Sequence, residues 1–583
     1  MKKIVMTLAI AALGSMAAAE AFVWPSGWTA AEPGEAAYGG TYRSYAISDP
    51  RTFNPFVSAE TNDITDNSYS TTLLTRGPDS DAWIPYMAED FEISDDGLTV
   101  TVTVRQGMKW SDGEEITAQD FYFTYLGFTD EDVGANAYDS WFIAGNPITV
   151  DLLDEWTLQF NFPTADRTAL GVVALEPMPD HILGDIYREG GAEALREAWG
   201  TEIDVADTVW ATAFVPVEFV PGQRILMERN PYFGEWNVDE AGNELPYLDR
   251  YQVSVVESTD AALNLYLAGE IDAYSPSNLD QVGVVNQAIQ NGDIDAELLP
   301  NVAPVASSQF IVFNWNKASD PFLQSTFRNI KFRQAMSHLV DREAIVDLVY
   351  GGSAAPMWSN VYQVQEYWVN PDVPRFAFDP ERAVELLAEI GFSQTNDDGV
   401  LVDADGNALS FSLATNAGNS QREQITQIFA DAAREVGVDI NAQAIDFNLL
   451  VDQLLTVDED RPFEAILIGL TGGNRDYPFG PNVVPCGTNL HMFNQDPSGE
   501  CLNAQETLAT ELYFQGRSTL DTEEARDIGY RIQRTLAQMQ AQIYTVSPLS
   551  HYSWLASVRG EHQEGMINDL LGSRQLPLTF KVQ

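Results

Sequence analysis

The side chains best suited to metal or acid–base chemistry are scattered along this chain. The five histidines are His181, His338, His491, His551 and His562. No two of them have the spacing that places a pair of zinc ligands on one helix face. The sequence also lacks a G-x-S-x-G turn, an H-E-x-x-H helix and a G-x-x-x-x-G-K phosphate loop. We therefore predict a protein that is not an enzyme and that needs no cofactor or metal.

One segment, Asp403–Asn407, begins like a calcium-binding loop. Such a loop requires glycine at its sixth position and a bidentate acid at its twelfth. Ala408 and Ala414 occupy those positions. The D-x-D-G-N pattern therefore favours a β-turn over a calcium site.

The charge balance is extreme, with 86 acidic and 31 basic residues and a net charge of −55. Such a charge keeps a protein soluble and disfavours self-association, so we predict a monomer. It also disfavours binding to nucleic acids and to anionic membranes. Because the acidic residues are spread along the whole chain, they favour adaptation to a saline medium over capture of a cationic ligand.

The N-terminus has the features of a secretory signal peptide. Two lysines precede a short apolar stretch, and small residues follow at Ala17–Ala19. We predict that residues 1–19 are removed, with cleavage after Ala21 as the alternative. No cysteine lies near the cleavage site, so a lipid anchor is not expected. The mature protein is predicted to be soluble and periplasmic.

The only two cysteines are Cys486 and Cys501, which are 15 positions apart. In an exported protein, two cysteines in a segment with few signals of regular structure favour a disulfide over a metal site or a reactive thiol. Closing a loop of this length contributes about 3 kcal/mol in the chain-entropy model.

The run Leu98–Tyr125 has the clearest local pattern. Valine and threonine alternate at first, which predicts a half-buried strand. Thr117 and Asp120 then have the spacing of a helix N-cap, followed by an aromatic helix. Further along, a single long helix is expected over Asn329–Leu348.

Five blocks resemble the family 5 extracellular solute-binding proteins of ABC importers, which comprise the peptide, nickel and oligosaccharide group. The blocks, in the family's order, are Tyr38–Phe56, Leu98–Tyr125, Trp210–Phe233, Leu245–Ala273 and Phe313–Ile345. The resemblance implies an α/β fold, a two-lobed periplasmic-binding-protein clamshell with an extra subdomain in the N-terminal lobe. The implied boundaries are 20–305 for lobe I, with the subdomain at about 61–208, then 306–543 for lobe II and 544–583 for a return to lobe I.

This resemblance implies a receptor that captures a ligand between two lobes and delivers it to membrane permease subunits. A short oligopeptide is the leading ligand, and an oligosaccharide is the alternative. From a different class, a secreted hydrolase without a recognisable motif remains open, and turnover of peptide or glycan libraries tests it.

Candidate ligand contacts also follow from the resemblance. In the peptide-binding branch, an aspartate on the loop after a buried strand pairs with the ligand's α-ammonium, and Asp476 is its nearest match. Arg475 beside it is an alternative, internal partner for that carboxylate. Aromatic rings that border the family's cleft and two asparagines at strand ends complete the set: Trp315, Trp358, Tyr362, Tyr367, Trp368, Asn314 and Asn416.

Overall fold

The computed structural model describes residues 21–24, 38–58, 62–68, 70–76, 82–302, 304–472, 475–559 and 579–581. The predicted signal peptide lies outside these ranges. Within them, no helix has both the length and the apolar character that a membrane crossing demands. The chain forms a two-lobed α/β fold, as predicted.

Lobe II is built on a five-stranded mixed sheet. In spatial order its strands are Asp439–Ile445, Ser410–Asn416, Ala465–Ile468, Phe310–Phe313 and Gln542–Tyr544. Every residue of Ala465–Ile468 and Phe310–Phe313 is buried, which explains why both segments read as unbroken apolar runs. The α-helices of this lobe are Pro321–Arg328, Ile330–His338, Arg342–Ala344, Pro380–Glu389, Ser420–Glu435, Phe447–Leu455, Ala504–Arg517 and Thr522–Met539.

The expectation of one long helix over Asn329–Leu348 is wrong. The Ile330–His338 helix ends, and a new one starts at Arg342 and continues through a π-helical turn at Ile345–Val349. The Asp341 carboxylate accepts the Ala344 N–H at 2.9 Å. Because an aspartate side chain competes for backbone donors, it caps a new helix instead of continuing the old one.

Lobe I contains a four-stranded sheet and a three-stranded sheet. The four-stranded order is Phe214–Val220, Arg224–Arg229, Arg250–Val255 and Thr41–Ala46; the three-stranded order is Ala273–Tyr274, Tyr552–Leu555 and Ala296–Leu299. The C-terminal strand Tyr552–Leu555 thus pairs with strands that precede residue 300. The α-helices of residues 21–302 are Asp63–Ser68, Ala118–Thr129, Ala169–Val173, Asp185–Glu197, Thr259–Leu267 and Leu279–Asn291.

The segment predicted as an inserted subdomain holds an antiparallel sheet of its own. Its order is Ala88–Ile93, Thr99–Val104, Thr157–Asn161 and Thr149–Asp154. The valines of Thr99–Val104 are buried and its threonines are partly exposed, which confirms the predicted alternation. Thr117 and Asp120 form the predicted cap at the start of the Ala118–Thr129 helix: the Asp120 carboxylate accepts the Thr117 N–H at 2.9 Å.

Short pairings complete the fold. They join Phe22–Val23 to Asn237–Val238, Leu74–Arg76 to Trp83–Pro85, Phe142–Ile143 to Asn146–Pro147, Gln394–Thr395 to Leu401–Val402, Ala354–Pro356 to Val546–Pro548, and Val558–Arg559 to Phe580–Lys581.

Two segments cross between the lobes, and they hydrogen-bond to each other. The Val302 N–H donates to the Ser550 carbonyl at 2.9 Å, and the Val305 N–H donates to the Pro548 carbonyl at 3.1 Å. Two adjacent crossings form a hinge about which packed lobes can open and close.

Cys486 and Cys501, the predicted pair, are joined by a disulfide with a Cα separation of 5.4 Å. Replacing both cysteines with serine should lower the free energy of unfolding by about 3 kcal/mol, because the unfolded chain regains the freedom of the closed loop. Urea unfolding followed by tryptophan fluorescence measures this loss. Wild-type protein unfolded in reductant should match the variant, and a loss of less than about 1 kcal/mol would contradict the expectation.

Candidate functional site

A cleft of about 550 Å³ lies between the lobes, and we call it the main cleft. Three strands end at it, with Ala46, Asn416 and Ile468 as their last residues. Ligands of open α/β sheets commonly bind outside the carboxyl ends of strands. The remaining lining residues are Tyr45, Ile47, Ser48, Asp63 and Thr259 from lobe I, and Asn419, Arg422, Phe447, Val451, Leu454, Leu455, Gly469, Leu470, Thr471, Leu490 and Met492 from lobe II.

Arg422 brings a positive charge to the lobe II side of the main cleft. Its Nε donates to Gln309 Oε1 at 2.8 Å, and its Nη1 donates to Asn416 Oδ1 at 2.7 Å. Both partners are neutral amides, and no carboxylate of the described residues forms an ion pair with Arg422. Burial lowers the pKa of Arg422 to about 10, so the guanidinium stays charged at neutral pH. A partly buried cation without an anion is a candidate anion-binding group.

Asp63 brings a carboxyl group to the lobe I side. Its Oδ1 accepts the Tyr251 hydroxyl at 2.5 Å. Burial raises the pKa of Asp63, and the hydrogen bond from Tyr251 offsets part of that rise. Among the described residues, this carboxylate also has no ion-pair partner. The main cleft thus has a carboxyl group on lobe I and a guanidinium on lobe II, between walls that are otherwise largely apolar.

Sequence reasoning missed both Asp63 and Arg422. Arg422 is the third residue of the Ser420–Glu435 helix. The first turn of a helix disfavours a cation because the helix dipole is positive there. An arginine in that unfavourable position is the sequence signal that could have identified Arg422 as a site residue. Asp63 had no comparable signal, because an acid at a helix start is common.

The predicted ligand contact Asp476 lies in a second cavity, of about 610 Å³, which we call the side chamber. Its carboxylate forms an ion pair with Arg76 and accepts the Trp83 Nε1–H at 3.4 Å. The Arg76 guanidinium in turn stacks 4.2 Å above the Trp83 ring. The cation that pairs with the Asp476 carboxylate is therefore Arg76, which lies 400 positions earlier in the chain.

Arg475 and Trp368 line the side chamber together with Tyr367. The Trp368 Nε1–H donates to the Arg475 carbonyl at 3.1 Å. The guanidinium of Arg167, from the inserted subdomain, lies 5.1 Å from the Trp368 ring. Arg167 also donates from Nε to the Asp476 carbonyl at 2.8 Å. The side chamber is therefore a contact zone between the subdomain and lobe II.

The other predicted contacts divide between the main cleft and positions that line neither cavity. Asn416 lines the main cleft. The Tyr362 hydroxyl donates to the carbonyl of Leu470, a main-cleft residue, but Tyr362 itself is buried and lines neither cavity. The remaining residues of the predicted set, Asn314, Trp315 and Trp358, also line neither cavity.

Asn314, Trp315 and Trp358 have internal partners. The Asn314 amide donates to the Phe463 carbonyl at 2.7 Å within the lobe II core. Trp315 lies 4.3 Å from the Arg333 guanidinium, and Trp358 lies 4.4 Å from the Arg342 guanidinium. These arginines are deeply buried, and burial lowers the pKa of each to about 9. Both tryptophans therefore stack on interior cations.

A buried ion pair joins the inserted subdomain to lobe II. The Arg517 guanidinium donates to Asp166 Oδ2 from Nη2 at 2.8 Å and from Nε at 3.1 Å. It also donates to the Phe142 and Ser140 carbonyls, each at 3.1 Å. The two charged side chains are 2% and 0% exposed. This contact exists only while the subdomain and lobe II lie together.

Asp139 makes a second contact across the same boundary, where its Oδ2 accepts the Asn489 N–H at 3.1 Å. Burial raises the pKa of Asp139 to about 6, although this hydrogen bond lowers it in part. A raised carboxyl pKa means that the folded protein holds a proton that the unfolded chain releases. The residue's contribution to stability is therefore greatest below its ordinary pKa of 3.8 and is lost as pH rises through about 6.

Replacing Asp139 with asparagine should raise the free energy of unfolding at pH 8 by about 1–2 kcal/mol, because a neutral amide avoids the buried charge and still accepts the hydrogen bond. At pH 4 the variant and the wild type should have the same free energy of unfolding. Urea unfolding at pH 4, 6 and 8 measures the difference. The exposed neighbour Asp132 provides the matched control, Asp132→Asn, and an equal pH dependence in both variants would contradict the assignment.

Residues 82–488 match the model of a family described as bacterial extracellular solute-binding proteins, family 5. The chain belongs to this family. It is similar to a probable ABC transporter-binding protein of Deinococcus radiodurans, with 40% identity over the full length of both chains. It is also 26% identical to the oligopeptide-binding protein AppA of Bacillus subtilis, over 75% of this chain and 74% of that protein. The chain is thus a family 5 substrate-binding protein of an ABC transporter.

Two solved structures of similar fold hold different ligands. AppA of Bacillus subtilis in complex with a nonapeptide has a TM-score of 0.78 at 21% identity, over 94% of this chain and 100% of that chain. MelB of Agrobacterium fabrum in complex with stachyose has a TM-score of 0.80 at 21% identity, over 94% of this chain and 85% of that chain. The same fold thus holds a peptide in one protein and a sugar in another, so the fold alone does not identify a ligand.

Proposed function

We propose that this family 5 protein binds a short oligopeptide in the main cleft, in the periplasm, and presents it to the permease of an ABC importer. The observation that supports this proposal is the placement of a carboxyl group, Asp63, and a guanidinium, Arg422, on opposite sides of the main cleft. A free peptide carries an ammonium at one end and a carboxylate at the other. The Asp63 carboxylate pairs with the ammonium, and the Arg422 guanidinium pairs with the carboxylate.

Desolvation makes an unpaired charge in the main cleft costly. A buried charge is costly until an opposite charge meets it, and neither side chain has an ion-pair partner among the described residues. A zwitterionic ligand supplies both partners at once. Because the two groups belong to different lobes, only a closed protein contacts both termini, and the ligand therefore stabilises the closed form.

The walls of the main cleft fit the body of a peptide. Phe447, Leu454, Leu455 and Met492 offer apolar surface to side chains of varied shape. Methionine in particular adapts to varied partners because its side chain is unbranched and polarisable. Such walls favour a receptor that accepts many short sequences.

An oligosaccharide is the second candidate, and a different region favours it. Tyr367 and Trp368 lie together in the side chamber, with ring centroids 5.5 Å apart. Aromatic rings pack well against the apolar faces of sugars. The similarity to the stachyose complex of MelB supports the same candidate. A neutral sugar, however, supplies no charged partner for Asp63 or Arg422.

A panel of terminally blocked ligands separates the two functions. Isothermal titration calorimetry compares a free alanine tripeptide, its N-acetylated form, its C-amidated form and stachyose. We expect the free tripeptide to bind and each block to weaken binding at least about tenfold, the effect of losing one charge-assisted hydrogen bond. Equal affinity for the free tripeptide and both blocked forms, or tighter binding of stachyose, would refute the proposal.

A further inference from the structure

A third cavity, of about 270 Å³, lies at the hinge, and we call it the hinge pocket. It is bounded by both lobes and by both crossing segments. Lobe I contributes Thr259, Ser275, Pro276, Ser277 and Tyr552; the crossings contribute Val305, Gln309, Pro548, Leu549, Ser550 and His551; lobe II contributes Tyr350, Asn419 and Gln421. No residue in this lining is acidic or carries a full positive charge at neutral pH.

Three buried polar atoms on its walls have no hydrogen-bond partner among the described residues. They are His551 Nε2, Gln421 Nε2 and Thr259 Oγ1. His551 is 1% exposed and Gln421 is 6% exposed. Buried polar groups are nearly always hydrogen-bonded, so three unpaired groups around one cavity indicate a missing partner.

All three atoms can donate a hydrogen. His551 Nδ1 accepts the Asn301 N–H at 2.9 Å, which leaves the proton of the neutral ring on Nε2. The Gln421 amide nitrogen donates, and the Thr259 hydroxyl can turn to donate. The missing partner is therefore an acceptor.

Two helices begin at the hinge pocket and add positive potential. Thr259 is the first residue of the nine-residue Thr259–Leu267 helix, and Gln421 is the second residue of the 16-residue Ser420–Glu435 helix. Each helix N-terminus carries the equivalent of about half a positive charge. Asp260 and Glu423, in the first turns of these helices, offset part of that potential. With no lysine or arginine in the lining, a singly charged anion fits the pocket better than a dianion.

We propose that the hinge pocket binds a small monocarboxylate anion through His551, Gln421 and Thr259. The occupant touches both lobes, so it stabilises the closed arrangement in which these walls meet. The hinge pocket is thus a second ligand site, at which a small carboxylate regulates closure. This inference does not depend on whether the main cleft takes a peptide or a sugar.

The hinge pocket and the main cleft are physically connected. Thr259 and Asn419 line both of them. Gln309 lines the hinge pocket and accepts a hydrogen bond from Arg422, which lines the main cleft. An occupant that fixes Gln309 and the start of the Ser420–Glu435 helix also fixes the guanidinium of the main cleft. The two ligands should therefore bind with positive coupling, and each should raise the affinity of the other.

The test titrates sodium acetate and sodium lactate against sodium chloride at constant ionic strength, with calorimetry and thermal unfolding as readouts. We expect saturable binding and a rise in the unfolding temperature with either carboxylate. Gln421→Met and His551→Phe should each weaken binding at least about tenfold. Thr426→Val is the matched control, because Thr426 lies on the same helix with a buried, unpaired hydroxyl but lines neither pocket.

Arg422 is itself an anion-binding candidate, so a further arm uses Arg422→Met. Saturable carboxylate binding that persists in this variant and is lost in Gln421→Met assigns the anion to the hinge pocket. Binding that is lost in Arg422→Met but kept in Gln421→Met and His551→Phe would place the anion in the main cleft and overturn the proposal. No saturable binding of either carboxylate to the wild type would also overturn it.

Discussion

Replacing Arg517 with methionine should lower the free energy of unfolding by about 3–5 kcal/mol. The change removes one member of a buried ion pair and leaves the buried Asp166 carboxylate without its cation. It also removes the donors to the Phe142 and Ser140 carbonyls. Because the pair joins the inserted subdomain to lobe II, ligand affinity should fall as well. Urea unfolding and calorimetric titration measure the two losses.

Two controls make this expectation specific. The double variant Asp166→Asn/Arg517→Met should recover much of the lost stability, since neither charge is then buried alone. Arg188 forms two exposed ion pairs, with Asp180 and Asp185, and Arg188→Met should cost less than about 1 kcal/mol. If Arg517→Met lowers the free energy of unfolding no more than Arg188→Met does, the buried pair does not stabilise the contact between the subdomain and lobe II.

Replacing Arg422 with methionine should weaken the binding of a free tripeptide at least about 30-fold, because the ligand carboxylate loses a partly buried cationic partner. The stability of the unliganded protein should stay constant or rise, since the removed charge has no anion of its own among the described residues. Methionine preserves much of the side-chain length. Calorimetry on the purified variant measures affinity, and thermal unfolding measures stability.

A cycle of protein and ligand changes isolates this contact. C-amidated tripeptide should bind wild type and Arg422→Met with similar affinity, since the carboxylate is already absent. Arg434→Met provides the matched control, because Arg434 lies on the same helix but is exposed. An equal loss for free and amidated peptide would show that Arg422 acts on the shape of the main cleft and not on the ligand carboxylate.

Local patterns predicted much of the fold. The alternation in Thr99–Val104 and the cap at Thr117 depend on neighbours within four positions, so the sequence contains the whole cause. The long helix over Asn329–Leu348 was predicted incorrectly, because the apolar spacing continues through Asp341 while its carboxylate starts a new helix.

The candidate site was harder to predict, because its partners are distant in sequence. No residue near Asp476 in the sequence indicates that its carboxylate forms an ion pair with Arg76, which lies 400 positions earlier. Asn314 and Trp315 stand at the end of a strand, and a strand end looks the same in sequence whether it faces a cleft or the core. The structure shows that both residues have partners within lobe II: Asn314 donates to the Phe463 carbonyl, and Trp315 stacks on the Arg333 guanidinium.

The disulfide has a consequence for when the protein becomes competent to bind. The segment that it closes contains Leu490 and Met492, which line the main cleft, and Asn489, which contacts Asp139. In a reducing medium the disulfide is open, and the segment that carries these cleft residues loses its covalent closure. With the proposed function, we expect the reduced protein to bind a tripeptide more weakly than the oxidised protein. Comparing tripeptide binding by protein folded with and without an oxidant measures how much the disulfide contributes to affinity.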